Sequence, residues 1–339
     1  MKNFLIFIIL TEVVVFFISF FYFYETGNLF FEGSRASLVY SQIIKELPQS
    51  MPSKINIFAV GDIMLDRGVE YKILKEGAGE FNFPFLKIAD DLKKADLLIG
   101  NLESPISEKG EKIGSIYSFR ANPKAVEGLK YAGFDVLSLA NNHALDYGRV
   151  ALEDTMNILK NNDIQYIGAG FNDKEVFSLK IKEIKGIKIG FLAYTEFGSK
   201  FWKPGTNTLG VAFFNIEDFE KIKREVSEAK KKVDILIISL HSGTEYVRNP
   251  TSFQEEFSRI CIDAGADLIL GHHPHVTQPL EEYKEGWIAY SLGNFIFDQS
   301  FSTQTMQGTL LEVLIEDGKI KKVNPTEVEI SENFQPYLK

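Results

Sequence analysis

Short apolar runs recur along the chain from Lys54 onward: INIFAV, ADLLIG, FDVLSLA, KIGFLAY, DILIISL, ADLILG and WIAYSL. Runs of this length, apolar throughout and bounded by polar or small residues, read as strands buried on both faces. Between several of them the period becomes that of a helix. FLKIADDLKKA, VALEDTMNILKNN and NIEDFEKIKREVSEAKKKV carry apolar residues at helical spacing, and the last has a basic final turn that complements the helix dipole. TSFQEEFSRICIDAG opens on a Thr/Ser cap and closes on Gly. Strand–helix alternation predicts an α/β layered fold. Two stretches read instead as hairpins: FSLKIKEIKGIKIGFLAY turns at Lys185-Gly186, and TLLEVLIEDGKIKKVNPTEVEI turns at Asp317-Gly318. The sheets are therefore expected to be mixed.

The N-terminus has a different pattern. Residues 4–24 are almost wholly apolar, long enough to cross a hydrocarbon core of ~30 Å as a helix. Lys2 precedes them, the next basic residue is Arg35, and Phe20 to Tyr24 make an aromatic belt. The expected organisation is a cytoplasmic tail (1–3), an uncleaved transmembrane anchor (4–24), a linker or stalk (25–53), an extracytoplasmic domain (54–330) and a C-terminal tail (331–339). Glu12 lies inside the apolar segment. A carboxylate there costs roughly 2.5–3.5 kcal/mol on insertion scales, which points either to a protonated side chain or to contact with another membrane subunit of a synthase.

Composition narrows the function. A net charge of −9 over 339 residues argues against a nucleic-acid partner. The single cysteine, Cys261, cannot form an intramolecular disulfide and reads as a core residue.

The chemistry gathers where apolar runs end. Six of them pass into a small residue and then a polar cluster: GDIMLDR, NLESP, NNHALDYG, HSGTEY, GHHPHVTQ and GNFIFDQ. In open α/β sheets ligands bind at the carboxyl ends of the strands, so the six clusters are expected to converge. All five histidines of the chain (His143, His241, His272, His273 and His275) lie in them. Joined by Asp62, Glu103, Asn101 and Asn142, they offer imidazole, carboxylate and amide donors, a set that suits Mn, Zn or Fe as one or two divalent ions. Asp62, His241 and His275 are favoured as ligands. His273 can face the same site as His275 if the backbone is extended, which would turn His272 away. Glu103 is a further site residue. His143 is placed to protonate a leaving group, with Asp146 as its orienter or as a first-turn helix residue. Arg67, Arg120 and Arg149 are candidates for binding substrate carboxylate or phosphate. Asp66, Asn294 and Asp298 are candidates for supporting roles, and Asn101 and Asn294 also for substrate contact.

These six motifs resemble those of the CapA family of capsule and poly-γ-glutamate synthesis proteins, over about Lys54 to Gln299. That family is similar in turn to the calcineurin-like metallophosphoesterases. The resemblance implies a four-layer α/β/β/α sandwich with metal ligands at strand ends. It matches Asp62 to the first ligand, Asn101 or Glu103 to the bridging position, Asn142 and His143 to an Asn-His pair, His241 to an isolated His, and His273 with His275 to a closing His-x-His. Two positions depart from the pattern. Met64 stands where the phosphoesterases carry a His, and Ser242 where a Trp follows the His. The implied function is a metal-dependent hydrolase or transferase acting on an anionic polymer, poly-γ-glutamate or a capsule glycan. The alternative is a non-catalytic polymer- or metal-binding component of a membrane synthase.

Overall fold

A computed structural model describes residues 54–113, 116–198 and 202–339. The expected anchor (4–24), Glu12 and the linker lie outside the described residues. Among the described residues, no helix is long and apolar enough to cross a membrane.

The first sheet starts with four parallel strands: β1 (Lys54–Ile63), β2 (Leu97–Leu102), β3 (Val136–Ser138) and β4 (Gln165–Ile167). A short β5 (Ala169–Gly170) follows and pairs with β8 (Gly210–Val211). The second sheet holds β6 (Lys180–Ile184), β7 (Ile187–Thr195), β9 (Ile235–His241), β10 (Leu268–His272), β11 (Leu280–Tyr283) and β12 (Gly286–Ala289), in the order β11-β12-β10-β9-β7-β6. Its central strands β7, β9, β10 and β12 are parallel, and its edges β6 and β11 antiparallel. The chain then returns to the first sheet. There β13 (Asn294–Ile296) lies parallel to β1, while β14 (Gln307–Glu316), β15 (Lys319–Ile330) and β16 (Pro336–Leu338) extend the β1 edge antiparallel. Residues 331–339, set apart from the domain by sequence, thus contribute an edge strand. Both expected hairpins form. Their turn residues Lys185-Gly186 and Asp317-Gly318 all take positive φ, as a two-residue type I′ turn requires.

Helices α1 (Arg67–Lys75), α2 (Ala89–Leu92), α3 (Ala125–Ala132), α4 (Gly148–Asn161), α5 (Asp173–Val176), α6 (Phe219–Lys230) and α7 (Ser252–Asp263) connect the strands. The sequence pattern finds α4, α6 and α7. The expected capping of α7 is present, with Thr251 and Gln254 exchanging side-chain-to-backbone hydrogen bonds. The stretch FLKIADDLKKA gives only the single turn of α2, and α1 and α3 lie where no helix is expected.

Alternation in β2 sorts the layers. Leu97 and Ile99 pack with β1 residues Ile55, Ile57 and Ala59 against the second sheet, in a core that continues to Val226 of α6 and Phe257 of α7. Leu98 and Leu102 join Val60 and Ile63 on the opposite face, under Leu129 of α3 and Leu152, Met156 and Leu159 of α4. Two mixed sheets thus meet face to face with helices outside each. Cys261 is fully buried in the α7 layer, and burial pushes its thiol up, so it is unreactive packing.

Candidate metal centre

The parallel strands of each sheet bring their carboxyl ends to one place. Asp62 is the penultimate residue of β1, and Asn101 lies beside it on β2, in register. Across the interface, β9 ends in His241 and β10 in His272, also paired in register. A close backbone crossing fixes the remaining member. The amide of Asp62 donates to Gly293 O at 3.0 Å, and a Cβ on Gly61 would lie 1.9 Å from that oxygen. Only glycine lets the chain pass there, and the passage sets Asn294 level with Asp62.

Glu103 is at the centre. It is fully buried, and its Oε1 has no hydrogen-bond partner. Around that oxygen stand three imidazole nitrogens: Nε2 of His241 at 3.8 Å, of His275 at 3.8 Å and of His143 at 3.9 Å. Two donor groups overlap on it, Glu103 with His241 and His273, and Asp62 with Glu103 and His275, the ligand atoms of each lying within 4.8 Å of one another. His273 Nδ1 is likewise buried without a partner. His241 Nε2 stands 2.8 Å from Asn142 Oδ1, so a proton or a cation must lie between two such lone pairs. Orphaned donors of this kind, clustered and oxygen- and nitrogen-bearing, fit a divalent cation.

The surrounding groups hold these donors in place. Asn101 is fully buried; its amide donates to Asp62 Oδ1 at 2.8 Å and Glu103 Oε2 at 3.3 Å, and its Oδ1 accepts from Asn141 at 3.1 Å. Asn294 donates to Thr305 O at 2.9 Å and Gln299 Oε1 at 3.0 Å, which turns its own Oδ1 to His275 Nδ1 at 3.0 Å. The proton of His275 is thereby kept on Nδ1, leaving Nε2 free for the centre. Both asparagines are candidates for substrate contact by sequence. Burial leaves neither a face for it, and both act instead on the carboxylates and imidazoles.

His143 Nδ1 lies 2.7 Å from Asp146 Oδ2, so the carboxylate holds the proton there and Nε2 points inward. Asp146 also accepts from the amide of Phe119 at 2.7 Å, and the Phe119 ring stacks on His143 at 4.0 Å.

Charge follows from burial. Burial alone would raise the Asp62 carboxyl, but the approach of His272 and His275 outweighs it and holds Asp62 well below the ordinary range. For Glu103 burial and the neighbouring Asp62 act together and push the carboxyl well up. Burial, then the proximity of His275, takes His273 down to about 3; burial, then His273, holds His241 well below its usual value. Both rings are neutral near pH 7 and keep their lone pairs.

Several sequence expectations change. His272 does not turn away: its Nδ1 comes within 3.2 Å of Asp62 Oδ1, without the angle of a hydrogen bond. The backbone from 273 to 275 is not extended. His273 and His275 take φ of 98° and 57°, so strand alternation fails and all three rings gather. Met64 is fully buried in the apolar core, its sulfur accepting from the amide of Asp66. Arg120 donates to the carbonyls of Lys109 and Gly110 and lies over the Tyr147 ring at 4.1 Å; it does not line the cleft that opens at the centre. Arg67 does line it, but is paired with Asp298. Arg149 donates to Leu209 O. Asp66 caps α1. The motif TEFG after β7 escapes the sequence reading. There the Phe197 ring packs on His273 with centroids 4.0 Å apart and planes tilted by 40°, and burial raises the Glu196 carboxyl to about 7. Its signal is the same as elsewhere, a strand running into a polar cluster.

The chain has known relatives. A family model described as bacterial capsule synthesis protein PGA_cap matches residues 56–299. Capsule biosynthesis protein CapA of Bacillus anthracis is 34% identical over 78% of this chain and 64% of its own length. PGA biosynthesis protein CapA of Bacillus subtilis (strain 168) is 33% identical over 80% of this chain and 71% of its own. The chain thus spans about two thirds of the length of these curated relatives. Among solved structures, a hypothetical protein from Thermus thermophilus aligns over 81% of this chain and 99% of its own with TM-score 0.52 at 18% identity, a likeness of fold alone. The family match runs from within β1 through β13 and takes in all six strand-end motifs, and on it the chain belongs to the bacterial capsule synthesis (PGA_cap, CapA) family.

Proposed function

We propose that this protein is a metal-dependent hydrolase or transferase acting on a polymer of the capsule or poly-γ-glutamate class, tethered to the membrane by residues 4–24. The observation that carries the reading is the unpartnered, buried Glu103 Oε1 with three imidazole Nε2 atoms 3.8–3.9 Å away. A buried carboxylate oxygen without a partner is costly unless a cation completes it. Asp62, Glu103, Asn142, His241, His273 and His275 would hold Mn, Zn or Fe, as one or two ions. When bound, the ion supplies Lewis acidity and neutralises charge developing on a reacting oxygen. His143, its Nδ1 proton held by Asp146, gives or takes a proton through Nε2 at the leaving group. The names of the relatives, capsule and PGA biosynthesis proteins, support the polymer class.

The test is the metal stoichiometry of the detergent-purified full chain, followed by phosphodiesterase and γ-glutamyl hydrolase assays with and without His143→Ala. One or two bound ions, and turnover falling ~10²–10⁴-fold in the variant with metal retained, are expected. Protein that binds no divalent ion, or turnover indifferent to His143, refutes the enzyme. Membrane fractionation tests the tether. A second reading, a binding component without turnover, is favoured by Met64, which stands where the metallophosphoesterase pattern has a His and packs into the apolar core. Bound metal with no His143-dependent turnover would leave that reading standing.

A further inference from the structure

The cleft that opens on the metal donors measures about 480 Å³, and among the described residues lining it Arg67 is the only lysine or arginine. Its side chain is held from several sides. Asp298 takes the guanidinium side-on: Nε donates to Oδ2 at 3.0 Å and Nη2 to Oδ1. Asp298 is itself fixed by the amide of Gly68, which donates to Oδ2 at 2.9 Å. Glycine permits that approach, since a Cβ there would lie 2.8 Å from the Cβ of Asp298. The guanidinium carbon lies over Phe119, 4.8 Å from the ring centre, and the same ring packs on His143 with centroids 4.0 Å apart. The Phe119 amide donates to Asp146, the carboxylate that holds the His143 proton. Arg67 and His143 are therefore set against one ring and open on one cleft.

Side-on pairing spends only two of the five N–H donors of a guanidinium. Among the described residues no group accepts from the opposite edge, Nη1 with the outer hydrogen of Nη2, and the side chain stays 36% exposed. That edge is the fork that takes a carboxylate bidentately. Asp298 offsets part of the charge, but it also fixes the plane of the fork before a ligand arrives, so little side-chain freedom is lost on binding. Bond connectivity decides which carboxylate this can be. In a γ-linked glutamyl chain the α-carboxylate sits on the carbon bonded to the amide nitrogen. In hydrolysis the hydroxyl of water bonds to the γ-carbonyl carbon, and the C–N bond breaks with its electron pair on nitrogen. The remaining water proton reaches that nitrogen through His143 Nε2. The departing unit thus carries its carboxylate next to the nitrogen that His143 addresses, and Arg67 stands one ring away from His143.

We propose that Arg67, positioned by Asp298, binds the α-carboxylate of the glutamyl unit whose nitrogen leaves, and so sets the direction in which a γ-linked chain lies across the centre. The inference rests on the reading of the adjoining centre as a metal-dependent site for such a polymer. Its test is isothermal titration of the Mn-loaded full chain with γ-linked hexaglutamate and with the same hexamer amidated at every carboxyl, metal content being measured on the same samples. The free hexamer should bind roughly 10–100-fold more tightly. An ion at the centre favours the anionic chain too, so the deciding comparison is between proteins of equal metal content. Arg67→Lys keeps the charge without the fork and should cut the preference about fivefold. Arg67 has φ of 54°, which asparagine tolerates. Arg67→Asn combined with Asp298→Asn leaves no unpaired carboxylate behind and should cut the preference at least about tenfold. Direction is read with hexamers bearing one free α-carboxylate. On the last unit it should give tighter binding than on the first, where seating it at Arg67 leaves the acyl side of the centre empty. A preference that survives the double variant, equal binding of the free and amidated hexamers, or tighter binding of the first-unit carboxylate overturns the assignment. Wild-type protein that takes up no metal refutes the underlying reading instead.

Discussion

Replacing Glu103 by glutamine keeps the shape of the side chain and removes its charge at the centre of the site. The amide oxygen can still accept from Asn101, whose Nδ2 lies 3.3 Å from Oε2 in the native protein. What disappears is an acid group that is fully buried, has an unpartnered Oε1, and whose carboxyl is pushed well up by burial and then by Asp62. In metal-free protein the sign is fixed. A carboxyl raised on folding contributes stability that is whole below the pKa of an unfolded glutamate, about 4.3, and that drains away as pH rises through its folded value. Leaving a buried polar group of this kind unsatisfied costs about 1–3 kcal/mol, and more when it is charged. Glu103→Gln should therefore stabilise the chelated protein by about 1–3 kcal/mol at pH 8, and by little at pH 4. For a domain of this size that is a rise in Tm of roughly 2–5 °C. With Mn or Zn the order should invert. An ion at 100 times its Kd stabilises the native protein by about 2.7 kcal/mol, and the variant, having lost the shared ligand, should forgo most of it. Differential scanning fluorimetry of both proteins, in EDTA and in metal, across pH 4–9, reads all four corners. A variant that is destabilised in EDTA at pH 8, or that metal stabilises as fully as wild type, would show that Glu103 is an ordinary structural acid and that no ion is shared there.

Other perturbations separate the supporting groups. Asn294→Ala removes the acceptor that keeps the His275 proton on Nδ1 and should weaken metal binding by about 10–100-fold, measured by competition with a chelating dye. Gly61→Ala drives a methyl to within 1.9 Å of Gly293 O and should cost on the order of 3–5 kcal/mol in denaturant unfolding; an unchanged midpoint would mean that the crossing of β1 and the 292–293 loop is loose. His273 is lowered to about 3, chiefly by burial, so the stability of metal-free protein should be whole above about pH 6.5 and fall steadily as pH drops toward 3. Chemical denaturation of His273→Gln should lose that part of the acid slope.

Much of the site is legible in the chain itself because a parallel strand and its exit carry a local signature. An apolar run buried on both faces cannot hold polar groups, so Asp62, Glu103, His241 and the His272–His275 cluster could fall only at its end, and parallel pairing sends those ends to one side. The turns at Lys185-Gly186 and Asp317-Gly318, and the cap at Thr251, are equally local and are readable for that reason.

Tertiary structure decided the assignments that depend on direction. His272 reaches Asp62 because His273 and His275 adopt left-handed backbone, which no alternation rule foresees. Asn101 and Asn294 read in sequence as candidates for substrate contact, yet the packing of one sheet on the other seals them in and turns their hydrogen bonds on Asp62, Glu103 and His275. Arg67 and Arg120 differ by nothing in composition; one meets Asp298 across 231 positions of chain and borders the cleft, the other is spent on loop carbonyls. Which residues leave a strand, and where, is determined by the chain alone, since that follows from local burial and backbone preference. Which way each side chain then faces, and what it finds there, is set by contacts between distant segments that form only when the two sheets close.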